Sequence, residues 1–168
     1  MLVPRIRELT IKDPVDFVPM LQEIMASCGV AIVFLPHIKG TFLHGATFFD
    51  GPNKIVMGLT VRGKDADKFW FSLFHEIYHI LDRHIDGINE KLTADEKDRR
   101  ADLYARNTLV PQEEYDKFID EYSLNEATIR MFSERIGVHP GIVVGRLQTD
   151  KKIEFSWFRS LKEQYKIE

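Results

Sequence analysis

The sequence has only one cysteine and no long apolar run, and each absence excludes a class of protein. Cys28 cannot form an internal disulfide, which fits a reducing compartment such as the cytoplasm. Its apolar neighbours predict a small core residue and not a nucleophile. No segment approaches the roughly 20 consecutive apolar residues of a membrane-spanning helix. Residues 1–13 are charged and lack the apolar centre of a signal peptide, so we expect a cytoplasmic protein with no membrane partner.

An excess of positive charge is also lacking. The formal net charge of the chain is −3, so composition predicts no general attraction to nucleic acid. The 168 residues are 44% hydrophobic and 29% charged, which is ordinary for a globular protein that buries a core. We therefore expect one domain spanning residues 1–168.

Proline and glycine are both absent from Phe69 to Asp86, which favours a helix there. At about 100° per residue, the apolar side chains of this segment form one stripe. The stripe consists of Phe69, Trp70, Leu73, Ile77, Ile80 and Leu81. Within the same segment, His75-Glu76-Ile77-Tyr78-His79 matches the pattern H-E-x-x-H.

Two histidines four positions apart lie one turn apart on the same helix face, where they can hold one zinc ion. Glu76 follows the first of them and can take a proton from a water molecule at the zinc. His84 projects towards the apolar side, so we exclude it as a third ligand. Two core histidines and a solvated glutamate would explain the same string without a metal.

A second helix is predicted from Ala94 to Val110. Thr93 and Glu96 form a capping-box pattern at its start, and Pro111 stops it. One face of this helix carries small and acidic residues, namely Asp98, Ala101, Asp102, Ala105 and Leu109. The alanines allow close approach to another helix, as a metal shared by two helices requires.

Two acidic residues of that face are candidates for the site. We predict Asp98 as the third metal ligand, because Glu96 points to nearly the opposite side. Asp102 is predicted to accept the second N–H of a zinc-bound histidine and so to fix its tautomer. A solvated acidic face with ion pairs along the helix, such as Asp98–Asp102–Arg106, is the alternative.

The first half of the chain predicts a helix followed by a small sheet. Residues 13–28 have helical spacing, with Asp13-Pro14 as the N-cap and first turn and Gly29 at the end; a later start, set by Pro19, is the alternative. Three apolar segments then predict strands of an antiparallel sheet, at Val30–Leu35, Thr41–Phe49 and Lys54–Thr60, with a further short strand at Arg5–Ile11. We predict Lys54–Thr60 as an edge strand that binds substrate backbone. His37 and His44 are read either as residues facing the site or as ordinary solvated histidines.

The last third predicts helices at Pro111–Glu121, Asn125–Ile136 and Ile142–Leu147. Residues 124–148 have the spacing of a helix-turn-helix, which is either a DNA-binding module or a hairpin packed on the rest of the domain. A closing strand at Ile153–Phe158 and a polar helix from Ser160 to Lys166 complete the prediction.

Three segments together resemble the ImmA/IrrE family of metallopeptidases, which are relatives of the zincins. They are FWFSLFHEIYHIL, DRRADLYARNTLVP and SERIGVHPGIVVGRLQ. The second is similar to the family pattern E-x-x-A-[ND]-x-F-A…L-x-P. The third is similar to an ending found where this domain forms the C-terminal half of HigA-like antitoxin or repressor proteins. The resemblance covers roughly residues 54–148.

The resemblance implies Zn²⁺ ligands at His75, His79 and Asp98 and a general base at Glu76. Asp98 departs from the glutamate that the family has there. Because aspartate is one methylene shorter, its helix must sit about 1.5 Å closer or a water must bridge. Tyr78 stands where the family usually has glycine. Tyr78, Tyr104 and His139 are candidates to stabilise an oxyanion.

These observations predict an α+β fold of zincin type. A small antiparallel sheet would pack on the H-E-x-x-H helix and the carboxylate-bearing helix, with additional C-terminal helices. The predicted function is a zinc metalloendopeptidase whose protein partner, by the resemblance, is a repressor or antitoxin-like regulator. The alternatives are a catalytically silent regulatory or antitoxin module and a transcriptional regulator that binds DNA; nucleic acid is not expected to bind through this chain alone.

Overall fold

The α+β class predicted from the sequence is confirmed. A computed structural model describes residues 2–35, 45–52, 54–60, 65–83, 85 and 92–165. Within these ranges the helices are α1 (Leu2–Arg7), α2 (Pro14–Ala26), α3 (Ala66–Leu81), α4 (Ala94–Leu109), α5 (Gln112–Glu121), α6 (Glu126–Ile136) and α7 (Pro140–Thr149), and the strands are β1 (Val30–Leu35), β2 (Gly45–Phe49) and β3 (Ile55–Thr60). None of the helices in this part of the chain has the length and apolar character needed to cross a bilayer.

The sheet is mixed, so the prediction of an antiparallel sheet is wrong for one of its two strand pairs. β3 lies in the middle, parallel to β1 and antiparallel to β2. The prediction that Lys54–Thr60 is an edge strand is wrong for the same reason. Apolar segments bounded by turns identify strands, but they do not say which strands become neighbours. In the described part of the chain, β2 is bonded to β3 alone and forms one edge.

Both predicted outer strands are also wrong. Residues 5–11 continue from α1 into a 3₁₀ turn at Glu8–Ile11, and the buried Ile6, Leu9 and Thr10 follow a helical spacing. Residues 153–158 form turns, and a 3₁₀ turn at Arg159–Leu161 replaces the start of the predicted polar helix. Gln164 then pairs with Asp65 in an isolated antiparallel bridge. This bridge fastens the C-terminal segment to the start of α3.

The predicted start of α2 is confirmed, whereas the prediction for Cys28 is wrong. The helix starts at Pro14, whose fixed φ suits the first turn, and it tolerates Pro19 inside. Cys28 is exposed and is not a core residue. It lies beyond the last turn of α2, where Gly29 at φ 80° redirects the chain into β1.

An aromatic cluster fixes α3 in the core. Trp70 is fully buried, with its ring 4.9 Å from that of Phe17 of α2, and its indole N–H donates to the hydroxyl of Tyr165 at 2.8 Å. The Phe17 and Tyr165 rings are 5.1 Å apart. The predicted stripe of α3 is buried at Phe69, Trp70, Leu73 and Ile77, but Leu81 is exposed. The motif helix is therefore held by α2 and by the C-terminal segment together.

α4 packs closely on α3 and is anchored at both ends. Ala101 and Ala105 are completely buried, as their position on the helix predicts. At the start, the Thr93 side chain accepts from the Glu96 N–H while the Glu96 carboxylate accepts from the Thr93 N–H, which confirms the capping box. At the end, the guanidinium of Arg7 donates to the carbonyls of Thr108 and Leu109, which have no partner within the helix.

The helix-turn-helix-like segment is part of the core. Gly137 ends α6 in the left-handed conformation at φ 69°, and α7 then packs against α3 and α6. Every residue of α7 from Gly141 to Gln148 is buried. A recognition helix must present an exposed face to base edges, which α7 does not do in this conformation. In this conformation, α6 and α7 form a helical hairpin whose second helix packs on α3.

We expect Ala101→Leu to destabilise the fold and to separate α4 from α3. Overpacking of a filled core site costs about 1–3 kcal/mol, and the same displacement moves Asp98 and Asp102 away from α3. Denaturant unfolding and metal titration of the variant check both effects. Leu103→Ala on the exposed side of α4 is the control, and a variant at Ala101 that behaves like this control would contradict the packing.

Candidate metal centre

Three side chains of α3 and α4 converge at one point. The Nε2 atoms of His75 and His79 lie 3.0 Å apart. An Oδ1 atom of Asp98 lies 3.9 Å from the first and 3.5 Å from the second. Their potential ligand atoms all lie within 4.8 Å of one another, so this cluster could hold a metal ion. The structure thus brings together the three residues that the sequence predicts as ligands.

The separations within the cluster fit a tetrahedral ion. Ligand bonds of about 2.0–2.2 Å place the ligand atoms of a tetrahedral site roughly 3.3–3.5 Å apart. Of the three separations in the cluster, one matches that range, one is shorter and one is longer. Two imidazole nitrogens and one carboxylate oxygen are also a donor set that zinc uses when a further position stays open. The Asp98 side chain is 61% exposed, so solvent and substrate can reach this side of the cluster.

Asp102 supports His75 from the side opposite to the cluster. One of its carboxylate oxygens lies 2.8 Å from Nδ1 of His75. With the proton on Nδ1, the imidazole donates to Asp102 and its Nε2 keeps a lone pair for an ion. The position of Asp102 one turn after Asp98 allows α4 to contribute both groups. This geometry is the one that the sequence predicts for Asp102.

Glu76 lies beside the histidines and is held by strand β2. Its residue exposure is only 8%, and Thr47 of β2 donates a 2.7 Å hydrogen bond to Oε2. Burial raises the pKa of the Glu76 carboxyl, and the hydrogen bond from Thr47 opposes that shift. A side chain at Gly45 would approach Glu76 Cγ to 2.7 Å, so only glycine leaves room for Glu76 there. The hydrogen bond from Thr47 therefore orients the carboxylate, and the absence of a side chain at Gly45 leaves room for it.

Thr47 and Gly45 are functional candidates that the sequence reasoning missed. Their contribution depends on the register that places β2 over α3, and no local pattern encodes that register. Glycine at the beginning of a strand is a weak signal for close approach of another group.

An open cavity of about 980 Å³ surrounds the cluster. Glu76 and the three potential ligands lie on its wall, together with Gly45, Ala46 and Thr47 of β2. The wall continues along α4 and α7, through Asp102, Arg106, Ile142, Gly145 and Arg146. The cavity therefore reaches from the candidate ligands to α7.

The three predicted oxyanion residues do not line this cavity. The rings of Tyr78 and Tyr104 pack against each other with centroids 5.0 Å apart, and burial raises the pKa of both hydroxyls. His139 precedes α7, where its Nδ1 accepts a hydrogen bond from the Gly141 N–H and its Nε2 lies 3.5 Å from Glu163. Its contacts give His139 a capping role. The structure does not support an oxyanion role for any of the three.

Three further histidines of the sequence analysis, His37, His44 and His84, lie outside the described residues.

Comparison with known proteins gives no assignment for this chain. No protein-family model matches it, and no curated protein matches it either. The geometry of the described residues is therefore what supports a function.

We expect Asp98→Ala to abolish tight zinc binding and Asp102→Asn to weaken it by about 10–100-fold. The first substitution removes a ligand atom, whereas the second removes the acceptor that orients His75. Competition with a chromophoric chelator measures both affinities, and Asp95→Asn in the first turn of α4 is the matched control. Unchanged zinc affinity in Asp98→Ala would exclude this residue from the ligand set.

Proposed function

We propose that this chain is a zinc-dependent metalloendopeptidase of zincin type that acts on a protein substrate. The observation that carries the proposal is the position of a buried glutamate, Glu76, on the wall of the cavity that holds the His75, His79 and Asp98 cluster. Metallopeptidases need this combination of an ion-binding group and an adjacent carboxylate base. The resemblance to the ImmA/IrrE family supports the same reaction.

The three cluster residues would hold the ion, and the neighbouring residues would carry the proton transfers. Zinc bound there would supply a Lewis acid that polarises a carbonyl group and lowers the pKa of water. Glu76 would accept a proton from the attacking water through Oε1, because Thr47 already donates to Oε2. It would then deliver that proton to the nitrogen of the leaving amine. Asp102 would keep His75 in the tautomer that binds an ion.

Strand β2 would bind the substrate backbone, in place of the strand that the sequence predicts. It forms an edge of the described sheet, and its Gly45 and Thr47 contact Glu76 directly. An extended peptide added to this edge would bring its carbonyl groups past the cluster. The family resemblance points to a transcriptional repressor or antitoxin as the protein that is cut.

We expect Glu76→Gln to retain zinc and fold but to lower peptide cleavage by at least about 100-fold, since the amide cannot accept the proton. The measurement compares zinc-loaded wild type and variant on reduced, unfolded casein by intact mass, with zinc content determined in parallel. A zinc-loaded wild type that leaves casein and a proteome-derived peptide library intact would contradict the peptidase and favour the silent regulatory module. Equal cleavage by the variant would remove Glu76 from the reaction.

We also expect Gly45→Ala to reduce kcat more than it reduces zinc affinity. The new methyl group would occupy the space of the Glu76 side chain and push its carboxylate away from the cluster. Gly58→Ala is a matched control in the adjacent strand, because its methyl group would meet the flexible end of Leu35 instead. If both variants cleave casein equally well, the close contact between Gly45 and Glu76 has no role in catalysis.

A further inference from the structure

Two arginines on the far wall of the cavity share one carboxylate. Arg106 of α4 and Arg146 of α7 both contact the same oxygen of Asp150, at 2.7 Å and 2.8 Å. Both guanidinium groups are protonated at any physiological pH. Two cations therefore share one carboxylate, and this group of three side chains has a net charge of +1.

Arg146 is fully committed to the structure. Its side chain is only 5% exposed, and it donates to the side chain of Gln112 and towards the carbonyls of Arg106 and Val110. Its guanidinium also lies 4.4 Å from the ring centroid of Tyr115. Arg146 is therefore too buried and too fully hydrogen-bonded to bind a ligand in the cavity.

Of these two arginines, Arg106 is the one that a ligand in the cavity can contact. Its side chain is 37% exposed and lies on the cavity wall. Its Nε has no acceptor among the described residues, although the atom is shielded from solvent. A guanidinium is a planar fork of donors that matches a carboxylate, so it can bind a second one.

Lys68 and Asp67 of the same wall each form an ion pair with one neighbour. Lys68 lies 2.9 Å from the carboxylate of Asp65, and Lys162 lies 3.0 Å from that of Asp67. Each cation has its own anion. Arg106 is thus the partly exposed cation of this wall that shares its carboxylate with a second cation.

The position of Arg106 defines where a carboxylate of a substrate would bind. Asp98, Asp102 and Arg106 follow one another at intervals of four residues along one face of α4. Eight residues of helix correspond to about 12 Å along its axis. An extended peptide advances about 3.3 Å per residue. The backbone of two or three residues covers most of this distance, and the side chains of the acidic residue and of Arg106 span the rest. A carboxylate two or three residues from the cleaved bond would therefore reach Arg106.

We propose that Arg106 makes the site selective for substrates with a carboxylate two or three residues from the bond that is cut. This inference rests on the proposed function, because it names the substrate class of the same cavity. A carboxylate there would accept N–H groups of Arg106 and restore the charge balance that Asp150 alone does not provide.

Peptide hydroxamates test the proposal, because their terminal group chelates zinc without being cut. One set carries the hydroxamate at the C-terminus and another at the N-terminus, so both directions along the cavity are sampled. Members of a set differ only in Glu or Gln at the second or third residue, with the far end blocked. A further member of the N-terminal set has Gln and a free terminal carboxylate, which distinguishes a chain end from an acidic side chain.

For the zinc-loaded full chain, we expect the Glu member of one set to bind about tenfold more tightly than its Gln partner, as a charge-assisted hydrogen bond provides. In Arg106→Gln the preference should fall below about twofold, and Arg106→Lys should retain part of it. Higher salt should also reduce the preference, since the guanidinium is partly exposed. Tighter binding of the free-carboxylate member alone would assign the same role to Arg106 with a chain end as its ligand.

Lys68→Gln is the matched control, because it removes a charge that already has its own partner. Three results would overturn the proposal: wild type that binds every carboxylate-bearing member, side-chain or terminal, no more tightly than its neutral partner; an unchanged preference in Arg106→Gln; or loss of the preference in Lys68→Gln. Zinc content and thermal unfolding establish that the variants are folded and loaded.

The outcomes also separate this inference from the peptidase function. If the protein shows the carboxylate preference but cuts no protein, the role of Arg106 is supported and the peptidase function is contradicted. If the protein cuts casein without that preference, the peptidase function is supported and the role of Arg106 is contradicted. If the chain binds no zinc, both proposals are contradicted.

Discussion

The close approach of α4 to α3 is the constraint on which the candidate site depends. Aspartate is a short ligand, and Asp98 reaches within 3.5 Å of His79 only because the facing residues of α4 are the buried Ala101 and Ala105. The same approach brings Asp102 to hydrogen-bond distance from His75. Arg7 holds the far end of α4 through its terminal carbonyls. The short third ligand and the small residues behind it thus form one structural solution.

The sheet contributes the second half of the site. The Glu76 side chain extends from α3 to β2. There the hydroxyl of Thr47 donates to it and the backbone of Gly45 lies close to it, in place of solvent. A buried carboxylate without such a donor would be costly. The donor on one oxygen also makes the two oxygens of Glu76 unequal, because among the described residues Thr47 donates to Oε2 alone. The orientation of the Glu76 carboxylate therefore depends on strand β2 as well as on the H-E-x-x-H helix.

The parts of the fold that the sequence predicts are those encoded by local signals. The capping box at Thr93, the glycine that ends α2 at Gly29, and the four-residue spacings of His75 with His79 and of Asp98 with Asp102 each depend on residues a few positions apart. The strand order, the contact of Thr47 with Glu76 and the sharing of Asp150 by two arginines join residues that are distant in the chain. Such pairings follow from the packing of whole elements, which periodicity does not encode.

The environment of Trp70 also affects the intrinsic fluorescence of the protein in solution. The sequence has two tryptophans, and they occupy opposite surroundings. Trp70 is sealed in the core five residues before His75, whereas Trp157 is about half exposed in the C-terminal segment. An indole in apolar packing emits at shorter wavelength than one in water. The intrinsic fluorescence of the folded chain thus contains a short-wavelength component that follows the packing of α3 and a long-wavelength component that follows the surface near the C-terminus.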